Sequence, residues 1–142
     1  MDAKVVWKEG LNFTGVADTC CELPLTAEPI YGGDEEGFRP MELFAIGLAG
    51  CTGMDVISIL KKKQQDVTAF EVQVHVQRSS QHPRVFTTVE IEYIVTGHSL
   101  DPAAVNRSVE LSLTKYCPAN AMLSKAVPIT NKITILEAGD ME

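Results

Sequence analysis

The chain predicts an α+β domain, with antiparallel sheets around one long buried helix, and three observations predict it. Residues 70–77 (FEVQVHVQ) and 85–95 (VFTTVEIEYIV) alternate apolar and polar side chains, the period of half-buried strands. Residues 41–64 are apolar on almost every helical face, so this helix has to be buried all round. Strand-like and helix-like segments are segregated along the chain rather than strictly alternating, which favours α+β over a parallel doubly wound sheet.

Residues 3–26 read as a three-strand antiparallel meander, VVW, LNFTGVAD and CCELPL, broken by Gly10 and by Asp18-Thr19. PIYGGDEEGFR carries no periodicity and is a loop. Pro40 then suits the first position of a helix, where its missing N–H costs nothing. SSQHPR between the two alternating segments is a hairpin loop. Asp101-Pro102 is an N-cap and first-turn signature, with Val105, Val109, Leu113 and Tyr116 as the stripe of a helix that stops near Cys117. Pro118 restarts a short helix over ANAMLSKA, and ITNKITILEA closes as a strand with Ile129, Ile133 and Ile135 facing one way. No internal repeat or low-complexity tract interrupts this order. All 142 residues are expected to form a single domain.

Composition limits the function. With 45% hydrophobic and 22% charged residues the chain has ordinary globular composition, and a formal charge of −7 argues against a nucleic-acid partner. The basic cluster Lys61-Lys62-Lys63 is expected to compensate the dipole at a helix C-terminus. MDAKVVWKEG lacks the pattern of a secretory signal, and the uncharged run 43–54 falls short of the roughly 20 residues that span a bilayer. The expectation is a cytoplasmic protein without a membrane partner. A long apolar helix in so small a domain also needs covering, which a second copy would supply as a homodimer.

Chemistry is expected at the cysteines. Gly47, Gly50 and Gly53 surround Cys51, and each glycine in a helix costs roughly 1 kcal/mol relative to alanine. The glycines either clear space beside a reactive thiol or simply permit a tight helix crossing around an inert one. Cys117 precedes Pro118, which pushes it out of the α region into an N-cap position, where the helix dipole favours thiolate. Together the two suggest an attacking and resolving pair. Cys20 and Cys21 are expected to be structural, adjacent on a strand and facing opposite ways. No C-x-x-C occurs and His75, His82 and His98 are scattered, so no metal and no cofactor is expected. Arg39 and Glu42 can meet around the first helical turn. There the carboxylate either holds the guanidinium as a charge partner for the thiolate or merely favours the helix N-terminus.

RPMELFAIGLAGCTGMDVISILKKK, the later KYCPANAML and the element order around them resemble the OsmC/Ohr family, the osmotically inducible protein C and organic hydroperoxide resistance proteins, over nearly the whole chain. The resemblance implies an OsmC-like fold in an intertwined homodimer. It implies a thiol peroxidase in which Cys51 attacks an organic hydroperoxide and Cys117 resolves the sulfenic acid, with a dithiol reductant such as a lipoylated protein. Peroxidase members carry glutamate directly after the helix-starting proline, where this chain has Met41, and an early arginine, whereas its first arginine is Arg39. The wording PMEL…GCTGMDV resembles a less characterised branch. Two alternatives on the same fold are a non-catalytic dimer binding a small apolar ligand and a thiol-based redox sensor.

Overall fold

Three short strands open the chain in the expected meander: β1 (Ala3–Glu9), β2 (Asn12–Ala17) and β3 (Leu23–Leu25). Both pairings are antiparallel, with Val5 opposite Gly15 and Phe13 opposite Leu25. The computed structural model describes residues 1–139, which form two compact units, 1–45 and 46–139.

In the first unit the non-periodic loop is held by side chains rather than by secondary structure. The buried Thr26 hydroxyl donates to Asn12 Oδ1 at 2.6 Å, and Asn12 Nδ2 donates to Asp34 Oδ2 at 3.0 Å. The Asp34 backbone N–H returns to Thr26 Oγ1 at 2.9 Å, closing the network. Gly33 is required here, because a Cβ would collide with the Ala27 carbonyl. Cys20 and Cys21 correct the expectation of a strand pair. Both are exposed in the connection between β2 and β3, and Cys20 has φ +63°, so period-two alternation does not govern where they face.

Helix α1 (Pro40–Lys62) begins at Pro40 and ends on lysines, as expected. The second unit adds β4 (Asp66–Arg78), β5 (Phe86–His98), α2 (Pro102–Leu111), a π turn (Ser112–Tyr116), α3 (Pro118–Leu123) and β6 (Ile129–Glu137). β4 and β5 form the expected hairpin, with Val72 opposite Tyr93. β6 joins β5 in parallel, Tyr93 opposite Ile133, and α2 and α3 supply the crossover that a parallel pair needs.

The core follows from two periodicities. Val89, Ile91, Tyr93 and Val95 point inward from β5 at every second residue, and α1 contributes Leu48, Thr52, Val56 and Leu60 at every fourth. Val105 and Val109 of α2 join the same cluster. Asp101 caps α2, accepting the Ala103 N–H at 3.0 Å. The expected stripe breaks at Tyr116, which is 49% exposed, because the π turn adds a residue to the last turn and rotates Tyr116 off the buried face.

One face of α1 is covered within the described chain, not all of them. Ile46 is 51% and Met54 74% exposed. By length and composition α1 could cross a membrane, a span longer than the uncharged run 43–54 suggests. Its buried stripe, with Thr52 hydrogen-bonded across the core, is that of a core helix.

Candidate functional site

The structure brings Cys51 together with Cys117, and Arg39 together with Glu42. Cys51 lies half-buried on α1, one position before Thr52 of the buried stripe. Cys117 is 3% exposed and is the N-cap of α3, with φ −80° and ψ 105° as the following proline demands. Its N–H donates to the Ser112 carbonyl at 2.8 Å, closing the π turn, and its Sγ accepts the Asn120 N–H at 3.4 Å. Cys51 is near enough to Cys117 to raise that thiol's pKa.

Capping geometry thus agrees with the sequence, but its electrostatic consequence does not. The Cys117 thiol is pushed up to about 11, first by burial. The Asn120 N–H opposes this, while Cys51 and Asp55 add to it. A single long N–H contact from a six-residue helix does not offset the loss of water around a thiolate. Cys117 is therefore a protonated thiol at neutral pH, not the thiolate expected of a helix-start cysteine.

A buried polar network that sequence reasoning missed lies beside the thiols. Thr52 Oγ1 is 2.7 Å from Tyr93 Oη and 2.7 Å from Ser112 Oγ, and Ser112 donates to Asp55 Oδ2 at 2.9 Å. Tyr93 is pushed up to about 12, mainly by burial, with Thr52 acting in the opposite direction and Cys117 and Asp55 adding to the rise. The sequence signal was Thr52 and Asp55 interrupting an otherwise apolar helix.

Glu42 Oε1 accepts the Arg39 backbone N–H at 2.7 Å, while Arg39 Nη1 donates to the Gly37 carbonyl at 3.3 Å. The carboxylate thus holds the N-cap backbone, as in a capping box, rather than the guanidinium in a fork. Of the two roles that the sequence left open for Glu42, its contact matches the helix-starting one.

Of the three glycines, Gly53 alone packs tightly: a Cβ there would lie 3.3 Å from Val72 Cγ2. At Gly47 and Gly50 a Cβ would meet open space. Ile46, Gly50, Met54 and Ile57 of α1 with Phe70 and Val72 of β4 line an apolar groove of about 520 Å³. His75, Glu90 and Glu92 could gather around a metal ion, but His75 and Glu90 are exposed and Glu92 already meets His75 at 3.3 Å and Lys132 at 3.9 Å.

Known proteins share this architecture. The family described as OsmC-like protein matches residues 32–132. Protein YhfA of Escherichia coli K12 is 40% identical over 138 residues, covering 97% of this chain and 100% of YhfA. An OsmC-like protein from Mycoplasma pneumoniae superposes with a TM-score of 0.80 at 16% identity, covering 95% of this chain and 96% of the other. The organic hydroperoxide resistance protein OhrB of Bacillus subtilis superposes with a TM-score of 0.61 at 20% identity, covering 94% and 98%. With its two sheets, its long helix and a family match over most of its length, the chain belongs to the OsmC-like protein family.

Proposed function

We propose that this chain is a thiol peroxidase that reduces organic hydroperoxides. The observation that carries the reading is the approach of Cys51 to Cys117 across the second unit. The likeness in fold to the organic hydroperoxide resistance protein OhrB of Bacillus subtilis supports the substrate class. A Cys51 thiolate attacks the terminal peroxide oxygen: the S–O bond forms, the O–O bond breaks, and the alkoxide leaves as alcohol after taking a proton. Cys117 then attacks the sulfenic sulfur. The S–S bond forms, hydroxide leaves, and the Cys117 proton completes it as water. An external dithiol is oxidised to its own disulfide and returns both cysteines to thiols.

Cys51 is the nucleophile in this proposal and Cys117 the resolving thiol. Arg39 is its candidate charge partner and Glu42 the support of the helix start that carries Arg39. The apolar exposure of Ile46, Met54, Val5, Val6 and Trp7 supports a homodimer, because a lone chain does not keep this much apolar surface in water.

The test is consumption of tert-butyl hydroperoxide with excess dithiol. Wild type should turn over many times and Cys51→Ser should not. Peptide mapping without reductant should find Cys51 joined to Cys117, with Cys20 and Cys21 free. One equivalent of peroxide consumed without turnover would replace the peroxidase by a redox sensor. No thiol oxidation at all would leave the ligand-binding dimer. Light scattering on the same sample reads the dimer directly.

A further inference from the structure

The π turn leaves one carbonyl without a main-chain donor. In an α-helix the Cys117 N–H would bond the Leu113 carbonyl four residues back, but here it bonds Ser112 at 2.8 Å, five residues back. The next donor in a π register would be residue 118, and Pro118 has no N–H. Leu113 is served instead by the side chain of Asn120, whose Nδ2 donates to its carbonyl at 2.8 Å. Asn120 is buried, so its amide is committed to this bond rather than to water. The same residue's main-chain N–H donates to Cys117 Sγ at 3.4 Å. One residue thus holds both the turn before Cys117 and the sulfur itself.

We propose that Asn120 is a positioning residue for Cys117: its amide keeps the turn in π register by occupying the carbonyl that this register frees, and its N–H fixes the sulfur. The register matters because Ser112, which receives the Cys117 N–H, is bound through its hydroxyl to α1. Ser112 Oγ lies 2.7 Å from Thr52 Oγ1 and donates to Asp55 Oδ2 at 2.9 Å, and Thr52 directly follows Cys51. Ser112 therefore ties the backbone of Cys117 to the turn of α1 that carries Cys51. Without the Asn120 amide, the Leu113 carbonyl competes for the Cys117 N–H. A return to α register shifts this position by one residue, about 100° of helix rotation. The inference deepens the peroxidase reading and rests on it only for the use of the Cys117 thiol, which is to attack the sulfur of Cys51.

The experiment uses the full chain with Cys20→Ser and Cys21→Ser. Asn120→Leu keeps a similar volume and removes the donor, and Asn120→Ala removes it without overpacking, so it decides the question if the leucine variant does not fold. The through-hydrogen-bond NMR coupling of the Cys117 amide should connect to the Ser112 carbonyl with Asn120 in place, and should vanish or move to Leu113 in the variants. The equilibrium constant of the Cys51–Cys117 disulfide against glutathione should fall by about tenfold, since the two sulfurs are less well placed to meet. A contribution to stability alone would lower the melting temperature of oxidised and reduced protein alike and leave both readouts where they were. An unmoved coupling, or an unmoved disulfide equilibrium, in a folded variant overturns the proposal. A wild-type chain that forms no such disulfide in glutathione sinks the peroxidase reading, while the coupling still decides whether Asn120 holds the turn.

Discussion

Within the second unit, α1 has two faces of similar composition and opposite fates. Leu48, Thr52, Val56 and Leu60 are at most 1% exposed, whereas Ile46 and Met54 on the same helix are 51% and 74% exposed. Apolar character does not separate them, since the most deeply buried stripe is the one that contains a hydroxyl. What separates them is the partner. The covered face meets the inward residues of β5 and α2, and its one polar member finds two hydroxyl partners there. The open face has a shallow groove against β4 and two glycines with empty space beyond them. Hydrophobicity says that a face needs covering, and only the opposing surface decides what covers it.

The largest test of this contrast is truncation on each face. Leu60→Ala should cost about 2–5 kcal/mol in urea unfolding, by lost burial and the cavity left behind. Met54→Ala should cost under about 0.5 kcal/mol if this face is open in solution. Equal losses would erase the contrast, and a Met54→Ala loss that appears only as destabilised dimers on dilution would show a second copy seated there.

Next comes the hydroxyl inside the buried stripe. Thr52→Val leaves the Tyr93 O–H without its acceptor and should cost about 1–3 kcal/mol. Ser112 gives its one proton to Asp55, so Thr52 donates to Ser112 and Tyr93→Phe orphans no donor; it should cost about 0.5–1.5 kcal/mol. Chemical denaturation of both proteins ranks them, and the reverse order would contradict the direction of the chain.

The covered face also predicts a loss of stability in alkali. Cys117 rises from 9.0 to about 11 and Tyr93 from 10.0 to about 12 on folding, so the fold favours both protonated forms. That stabilisation is fully present below pH 9 and is lost as pH rises through 11 to 12. Melting temperatures across this range should fall accordingly. In Cys117→Ala the decline should begin near pH 10 rather than near 9, leaving Tyr93 alone to titrate.

The smallest effects sharpen the open face. Gly50→Ala should raise stability by up to about 1 kcal/mol, since a methyl there meets nothing and helix propensity improves. Gly53→Ala should gain less or lose, because Val72 must move to admit the Cβ. A destabilised Gly50→Ala dimer, read by melting and light scattering together, would place another copy against the groove.

Much of this architecture was legible because it repeats locally. The alternation of 70–77 and 85–95, the Asp101 cap and the proline starts of all three helices are properties of a few adjacent residues. Cys51 and Cys117 were legible as a pair from their settings and from the family resemblance. The protonated state of Cys117 was not, because the dipole argument is local while the desolvation that outweighs it comes from the whole core. Cys20 and Cys21 misled because CCELPL has strand composition, while the chain turns at Cys20 in the left-handed region.

The sequence by itself determined most of the elements and their order, since helix and strand periods, caps and breakers act over one or two turns of chain. Only the tertiary structure decided that β6 enters parallel, that the π turn rotates Tyr116 off the stripe, and that Glu42 holds a backbone N–H rather than a guanidinium. It alone gathered Thr52, Tyr93, Ser112 and Asp55 into one directed chain from positions up to 60 residues apart. The physical reason is that hydrogen bonds and desolvation depend on distance in space, and residues so far apart along the chain share no local pattern that could announce their meeting.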